Sequence, residues 1–173
     1  MYRYSIFYVL VAIIVAIGFG GTDVSTLSAA EKYEEEFPSW QFLQQHYKGR
    51  YFYRGETTEK QIALTFDDGP SPLSESILDL LDRHNIKASF FWQGGRVADH
   101  PDTMKRGLDK GHTIANHSWD HPNGADFSPE KLWQEQVLPT TESFREIIEH
   151  KPSFYRPPFG AISRTQIDYL SDR

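Results

Sequence analysis

Asp67 and Asp68 stand directly behind the apolar run Ile62-Ala63-Leu64 and directly in front of Gly69-Pro70. Few local structures accept that order. The run reads as a short buried strand over Ile62 to Phe66, the acids as its C-terminal tip, and Gly-Pro as a forced turn. Neighbouring strand residues point to opposite faces, so the two acids take separate tasks only where the strand is ending. Like charges this close repel, and burying them uncompensated is costly. A cation is the obvious compensation. An ordinary Asp-Asp-Gly-Pro surface turn would carry the same residues.

Two further stretches bear on that choice. His117-Ser118-Trp119-Asp120-His121-Pro122 sets two imidazoles at i and i+4 just after the run His112 to Asn116. On a helical turn that spacing puts both rings on one face, a common metal-ligand arrangement. Two histidines and one carboxylate leave positions open for water or substrate, as catalytic zinc sites do. The alternative is a pair of exposed loop histidines. Tyr155-Arg156-Pro157-Pro158-Phe159-Gly160 follows a short strand, with two prolines fixing the backbone. Arg156 there is either a bidentate carboxylate holder or a surface arginine before a turn.

Thr65-Phe66-Asp67-Asp68-Gly69-Pro70, His117-Ser118-x-x-His121-Pro122 and Arg156-Pro157-Pro158-Phe159-Gly160, in this order, resemble the polysaccharide deacetylases of carbohydrate esterase family 4. The similarity runs from about Lys60 to the C-terminus. The resemblance implies that Asp67 is the general base and that Asp68, His117 and His121 hold a divalent metal. It further implies that Arg156 orients the base and that Pro158, Phe159 and Gly160 wall the substrate groove. Family members carry two more elements downstream, an Asp-Trp pair and a Leu-x-His that supplies the general acid. The sequence stops at Arg173 before either, so no residue is assigned to them and the domain is expected to be partial.

From Lys60 on, strand and helix signals alternate. Strands are expected over 62–66, 88–92, 113–116 and 153–155. Helices are expected from Ser71-Pro72 to His84, with Leu73, Ile77 and Leu80 on one face, and over Pro101 to Lys110, with Met104 and Leu108 inward. A long helix from Ser128 buries Leu132, Trp133, Phe144 and Ile148 and kinks at Pro139. Ser163 caps the last one. Candidate groups after strands one, three and four follow the logic of an α/β barrel. The resemblance implies a distorted (β/α) barrel, with about four of roughly seven strands present. An open barrel leaves an unpaired edge, and Phe90 and Trp92 are expected to stay partly wet.

Residues 1–30 read as a signal peptide or N-terminal membrane anchor. Arg3 precedes the uncharged run Ile6 to Ile17, and Ser28-Ala29-Ala30 supplies small residues for cleavage. Export follows, to the outer face of the membrane, the wall or the medium. Residues 31–59 read as a linker and entry segment. Glu31 to Glu36 is a solvated stretch, and Trp40, Phe42, Leu43 and Tyr47 form packing surface rather than a sugar platform. Tyr51-Phe52-Tyr53 suggests a short strand. The partial deacetylase domain occupies 60–173.

A net charge of -6 offers no footprint for nucleic acid, and the absence of cysteine removes thiolate ligation. The ion is expected to be zinc, with cobalt and manganese also suited to these ligands. His112, at the start of the strand leading to His117, is a candidate supporting residue. The leading function is hydrolytic N-deacetylation of N-acetylated cell-wall polysaccharide, peptidoglycan ahead of chitin-type oligomers. A carbohydrate-binding or inactive relative and a small-amide amidase are the alternatives from other classes.

Overall fold

The computed structural model describes residues 28–55 and 57–173. The expected leader over 1–30 lies outside them except for its last three residues, which open α1 (Ala29–Glu36). The Ser28 hydroxyl accepts the Glu31 N–H at 3.3 Å, and the Glu31 carboxylate accepts the Ser28 N–H at 2.9 Å. That reciprocal cap makes a helix of a stretch expected to be a plain linker. In α2 (Trp40–His46) and at its C-cap, Leu43 and Tyr47 are buried against Ile162 and Ile167. Tyr51 to Tyr53 is not a strand. The Gln44 side-chain oxygen accepts N–H bonds from Tyr53 and Arg54 at 3.0 Å each, replacing a strand partner.

Three parallel strands follow in the order β1-β2-β3: β1 (Thr65–Gly69), β2 (Ser89–Trp92) and β3 (Thr113–Asn116). Between them run α3 (Pro72–Arg83), the single turn α4 (Gly94–Val97) and α5 (Pro101–Asp109). β1 begins three residues later than expected, and Ile62 is 88% exposed. β1 is the edge strand, and among the described residues no strand pairs with its outer side. The fourth expected strand shrinks to one parallel bridge between Tyr155 and Asn116. Pro152 before it and Pro157-Pro158 after it remove the N–H groups that would extend a ladder.

Phe90 and Trp92 are each 1% exposed, contrary to the expectation of wet aromatics. Leu78 and Leu81 of α3 and Met104 of α5 cover them, together with Phe144 of a later helix. On α3 the inward row is Ser74, Leu78 and Leu81, while Leu73 and Leu80 face out. The Ser74 hydroxyl accepts the Ser71 N–H at 3.0 Å; this cap turns Ser74 inward, and its i+4 and i+7 neighbours follow.

After β3 come α6 (Pro129–Leu132), a wide π turn over Trp133–Val137, α7 (Leu138–Ile148) and α8 (Arg164–Ser171), the last capped by Ser163 as expected. Leu132, Phe144 and Ile148 are buried as the pattern predicts, and Trp133 is half-buried. Pro139 cannot donate to the preceding turn, and the irregularity expected there takes the form of the π turn just before it.

His112 is no neighbour of the candidate site. It is buried before the N-terminal end of β3, its Nδ1 accepting the Ala88 N–H at 3.2 Å and its ring set edge-on to Phe90. Burial, aided by Lys87, lowers its pKa from the usual histidine value. The unfolded chain therefore binds more protons, so this stability is full above about pH 6.5 and is lost as pH falls below it. The melting temperature should drop between pH 7 and pH 5, and His112→Asn, which keeps an acceptor without titrating, should flatten part of that drop in a calorimetric series. An unchanged slope would assign it elsewhere.

Candidate metal centre

The strand ends carry the chemistry. Phe66 pairs with Phe90 but Gly69 pairs with Trp92, so three steps along β1 face two along β2. The extra residue is a bulge, and it is the bulge rather than a strand end that separates the two acids. Asp68 sits there at φ 67. Gly69 has no room for a side chain, since a Cβ would lie 2.5 Å from the Trp92 indole nitrogen.

His117 and His121 do meet, with ring centroids 5.1 Å apart, but not on a helix. Ser118 and His121 both adopt positive φ, and side chains hold the loop in that shape. The Asn116 side-chain oxygen accepts the Ser118 N–H at 2.9 Å, and the Ser118 hydroxyl accepts the His121 N–H at 3.0 Å. From the π turn, Gln136 accepts the N–H of Trp119 at 2.9 Å and donates to the Asp120 carboxylate at 2.9 Å. The wide turn before Pro139 thus delivers the amide that clamps the histidine loop, a use for a π turn beside a site.

Asp68 Oδ1 lies 3.5 Å from His117 Nε2 and 3.1 Å from His121 Nε2. The three ligand atoms fall within 4.8 Å of one another. Neighbouring ligands of a four-coordinate ion with bonds of about 2.0–2.1 Å stand about 3.3 Å apart, so the set is the right size. The tautomer fits as well. His117 Nδ1 is 2.8 Å from the Arg156 carbonyl, which can only accept, so Nδ1 carries the proton and Nε2 turns a lone pair towards Asp68. Burial lowers the His117 pKa against the opposing pull of that carbonyl and both acids. A neutral lone pair facing a carboxylate oxygen is a cation site by charge as well as by shape.

Asp67 is held apart from this cluster. Arg156 Nη1 donates to Asp67 Oδ1 at 2.6 Å and to the Thr65 hydroxyl at 3.1 Å, while the guanidinium lies 3.8 Å over the Phe91 ring. Arg156 is thus a carboxylate holder, by one N–H rather than two. Pro158 is buried, and Phe159 and Gly160 adopt positive φ in a short 3-10 turn. The Phe159 ring is 72% exposed and packs edge-on to His121, centroids 4.8 Å apart. Asp68, His117 and His121 thus come together, Asp67 pairs with Arg156, and Phe159 abuts His121.

One neighbour went unnoticed in the sequence. Gln93, buried immediately after β2, donates from Nε2 to Asp68 Oδ1 at 3.1 Å and accepts from Arg96 at 3.1 Å. Its position after a strand, like those of the other groups, was the available signal.

A polysaccharide deacetylase family model matches residues 54–172. The peptidoglycan N-acetylglucosamine deacetylase PgdA of Listeria monocytogenes is 43% identical over 108 residues, covering 62% of this chain and 23% of the relative. A peptidoglycan N-acetylglucosamine deacetylase of Bacillus cereus is 35% identical over 127 residues, 73% of this chain and 46% of the relative. The chain thus spans a quarter to a half of the length of these relatives. Among solved structures, the Bc1960 peptidoglycan N-acetylglucosamine deacetylase superposes with a TM-score of 0.64 at 36% identity, over 68% of this chain and 55% of that one. A family 4 acetyl xylan esterase from Clostridium thermocellum, in complex with a cobalt ion, gives 0.58 at 35%, over 62% and 53%. The α/β architecture, with its groups at the C-terminal strand ends, is an incomplete (β/α) barrel of this type. The chain belongs to the polysaccharide deacetylase family.

Proposed function

We propose that this chain removes acetyl groups from N-acetylated amino-sugar polymers, with peptidoglycan N-acetylglucosamine as the substrate. The observation that carries this reading is the meeting of Asp68, His117 and His121 beside the Arg156-held Asp67, in a chain 43% identical over 108 residues to a peptidoglycan deacetylase. Asp68, His117 and His121 would hold a divalent ion, which we assign as zinc; their nitrogen and carboxylate ligands also suit cobalt or manganese. When bound, such an ion supplies Lewis-acid chemistry, acidifying water and polarising a carbonyl oxygen.

Asp67 then accepts the proton as a water oxygen adds to the acetamido carbon. Arg156 fixes the carboxylate oxygen that it donates to and leaves the other free for that proton. Gln93 holds Asp68 in register with the two histidines. The C–N bond breaks as the nitrogen takes up the proton that Asp67 accepted, giving acetic acid and a free amine and returning Asp67 to its carboxylate. Phe159, in contact with His121, shields one flank of the reacting group from solvent.

The uncharged run Ile6 to Ile17 behind Arg3 supports action outside the cytoplasmic membrane, released or anchored through residues 1–30. Acetate release from peptidoglycan, from N-acetylglucosamine oligomers and from a small non-sugar amide, measured with zinc present, tests the assignment. Release from peptidoglycan, at a higher rate than from the oligomers, is expected. Sugar binding without release would make the chain a carbohydrate-binding relative, and release from the small amide alone would make it an amidase.

A further inference from the structure

Near the Phe159–Gly160 turn, the described residues leave a pair of large aromatic rings partly uncovered. Trp40 is 50% exposed and Tyr53 47% exposed, with ring centroids 5.3 Å apart. Both precede the segment that matches the family model. On the same helix, Leu43 is 2% exposed, as is Tyr47 at its C-cap, so the apolar stripe of α2 has already met its core. The pair is also held in place from below. Tyr47 donates its hydroxyl hydrogen to Asp168 at 3.3 Å, anchoring α2 on α8, and Gln44 grips the Tyr53 and Arg54 amides.

The pair lies against the Phe159–Gly160 turn. A Cβ placed on Gly160 would lie 3.7 Å from the Trp40 indole nitrogen, so Trp40 packs directly against that glycine. Phe159, the residue before it, touches the His121 ring. From the candidate metal site outward, the surface runs His121, Phe159, Gly160, Trp40, Tyr53. We infer that Trp40 and Tyr53 form a sugar-stacking subsite, which takes a pyranose ring of the same glycan strand next to the one being deacetylated. This rests on the deacetylase reading above.

The chemistry fits that occupant. One face of a hexosamine ring presents C–H bonds, whose positive edges suit the negative face of an aromatic ring. Rigid aromatic side chains give contact area at little cost in conformational entropy. The packing surface expected of α2 is therefore divided: Leu43 and the capping Tyr47 serve the core, and Trp40 is left to the groove.

Binding separates this subsite from catalysis. In the turnover-blocked Asp67→Asn chain loaded with zinc, N-acetylglucosamine oligomers from dimer to pentamer are titrated by calorimetry. Adding Trp40→Ala should weaken the pentamer by about three- to tenfold, leave the shortest bound oligomer nearly unchanged, and do less harm as Trp40→Phe. Tyr53→Ala should follow the same length dependence, and melting curves establish that each variant folds. Equal weakening at every length, or none in either variant, would overturn the subsite and leave the deacetylase reading intact. No binding of any oligomer to the zinc-loaded chain would overturn both.

Discussion

Asp67→Asn is expected to hold one divalent ion per chain as the unsubstituted protein does, yet to lose acetate release by about 10²- to 10⁴-fold, the usual contribution of a general base. The geometry separates the two properties. Asp67 contributes no atom to the cluster of Asp68, His117 and His121; its close partner is Arg156, at 2.6 Å. Asparagine preserves the acceptor towards Arg156 but cannot take a proton from water. Elemental analysis after dialysis, paired with an acetate assay, reads both outcomes. If Asp67→Asn and Asp68→Asn lose the ion equally, the division of labour between the adjacent acids is wrong.

The second large effect lies in the ligand set. His121→Ala removes one of three converging ligand atoms and leaves Asp68 with only His117 as a fellow ligand, beside the Gln93 amide. Divalent-ion affinity should fall by more than about 100-fold, beyond what removing a group that merely supports a ligand costs. Gln93→Leu supplies that comparison: it deletes the hydrogen bond to Asp68 but no ligand, so its loss should fall within about 10- to 100-fold. Competition titration against a chromogenic chelator measures both. Near-equal losses would mean that His121 does not ligate.

The chemistry was legible because it is written in short, contiguous stretches at strand ends. Asp67 and Asp68 lie at the C-terminal end of β1, His117 directly follows β3 and Arg156 directly follows the bridge at Tyr155, and parallel strands carry such residues to one rim. What escaped depends on partners far away in sequence. The histidines meet through a loop clamped by Gln136, whose place depends on a π turn forced by Pro139. The acids diverge through a bulge, visible only in the register of β1 against β2. On α3, five apolar residues offered two possible inward rows, and the Ser71–Ser74 cap chose the one that apolar spacing from Leu73 did not favour. The run Ile62 to Leu64 has strand composition, but strand formation also needs a neighbour on the open side of β1.

In this proposal an ion between Asp68, His117 and His121 serves hydrolysis of an acetamido group. Its most direct test is acetate release from peptidoglycan by the chelator-stripped chain, before and after zinc is restored one equivalent at a time. No release is expected from the stripped chain, followed by a rise that saturates at one zinc per chain. Release that persists without the ion, or that is indifferent to its return, would contradict it.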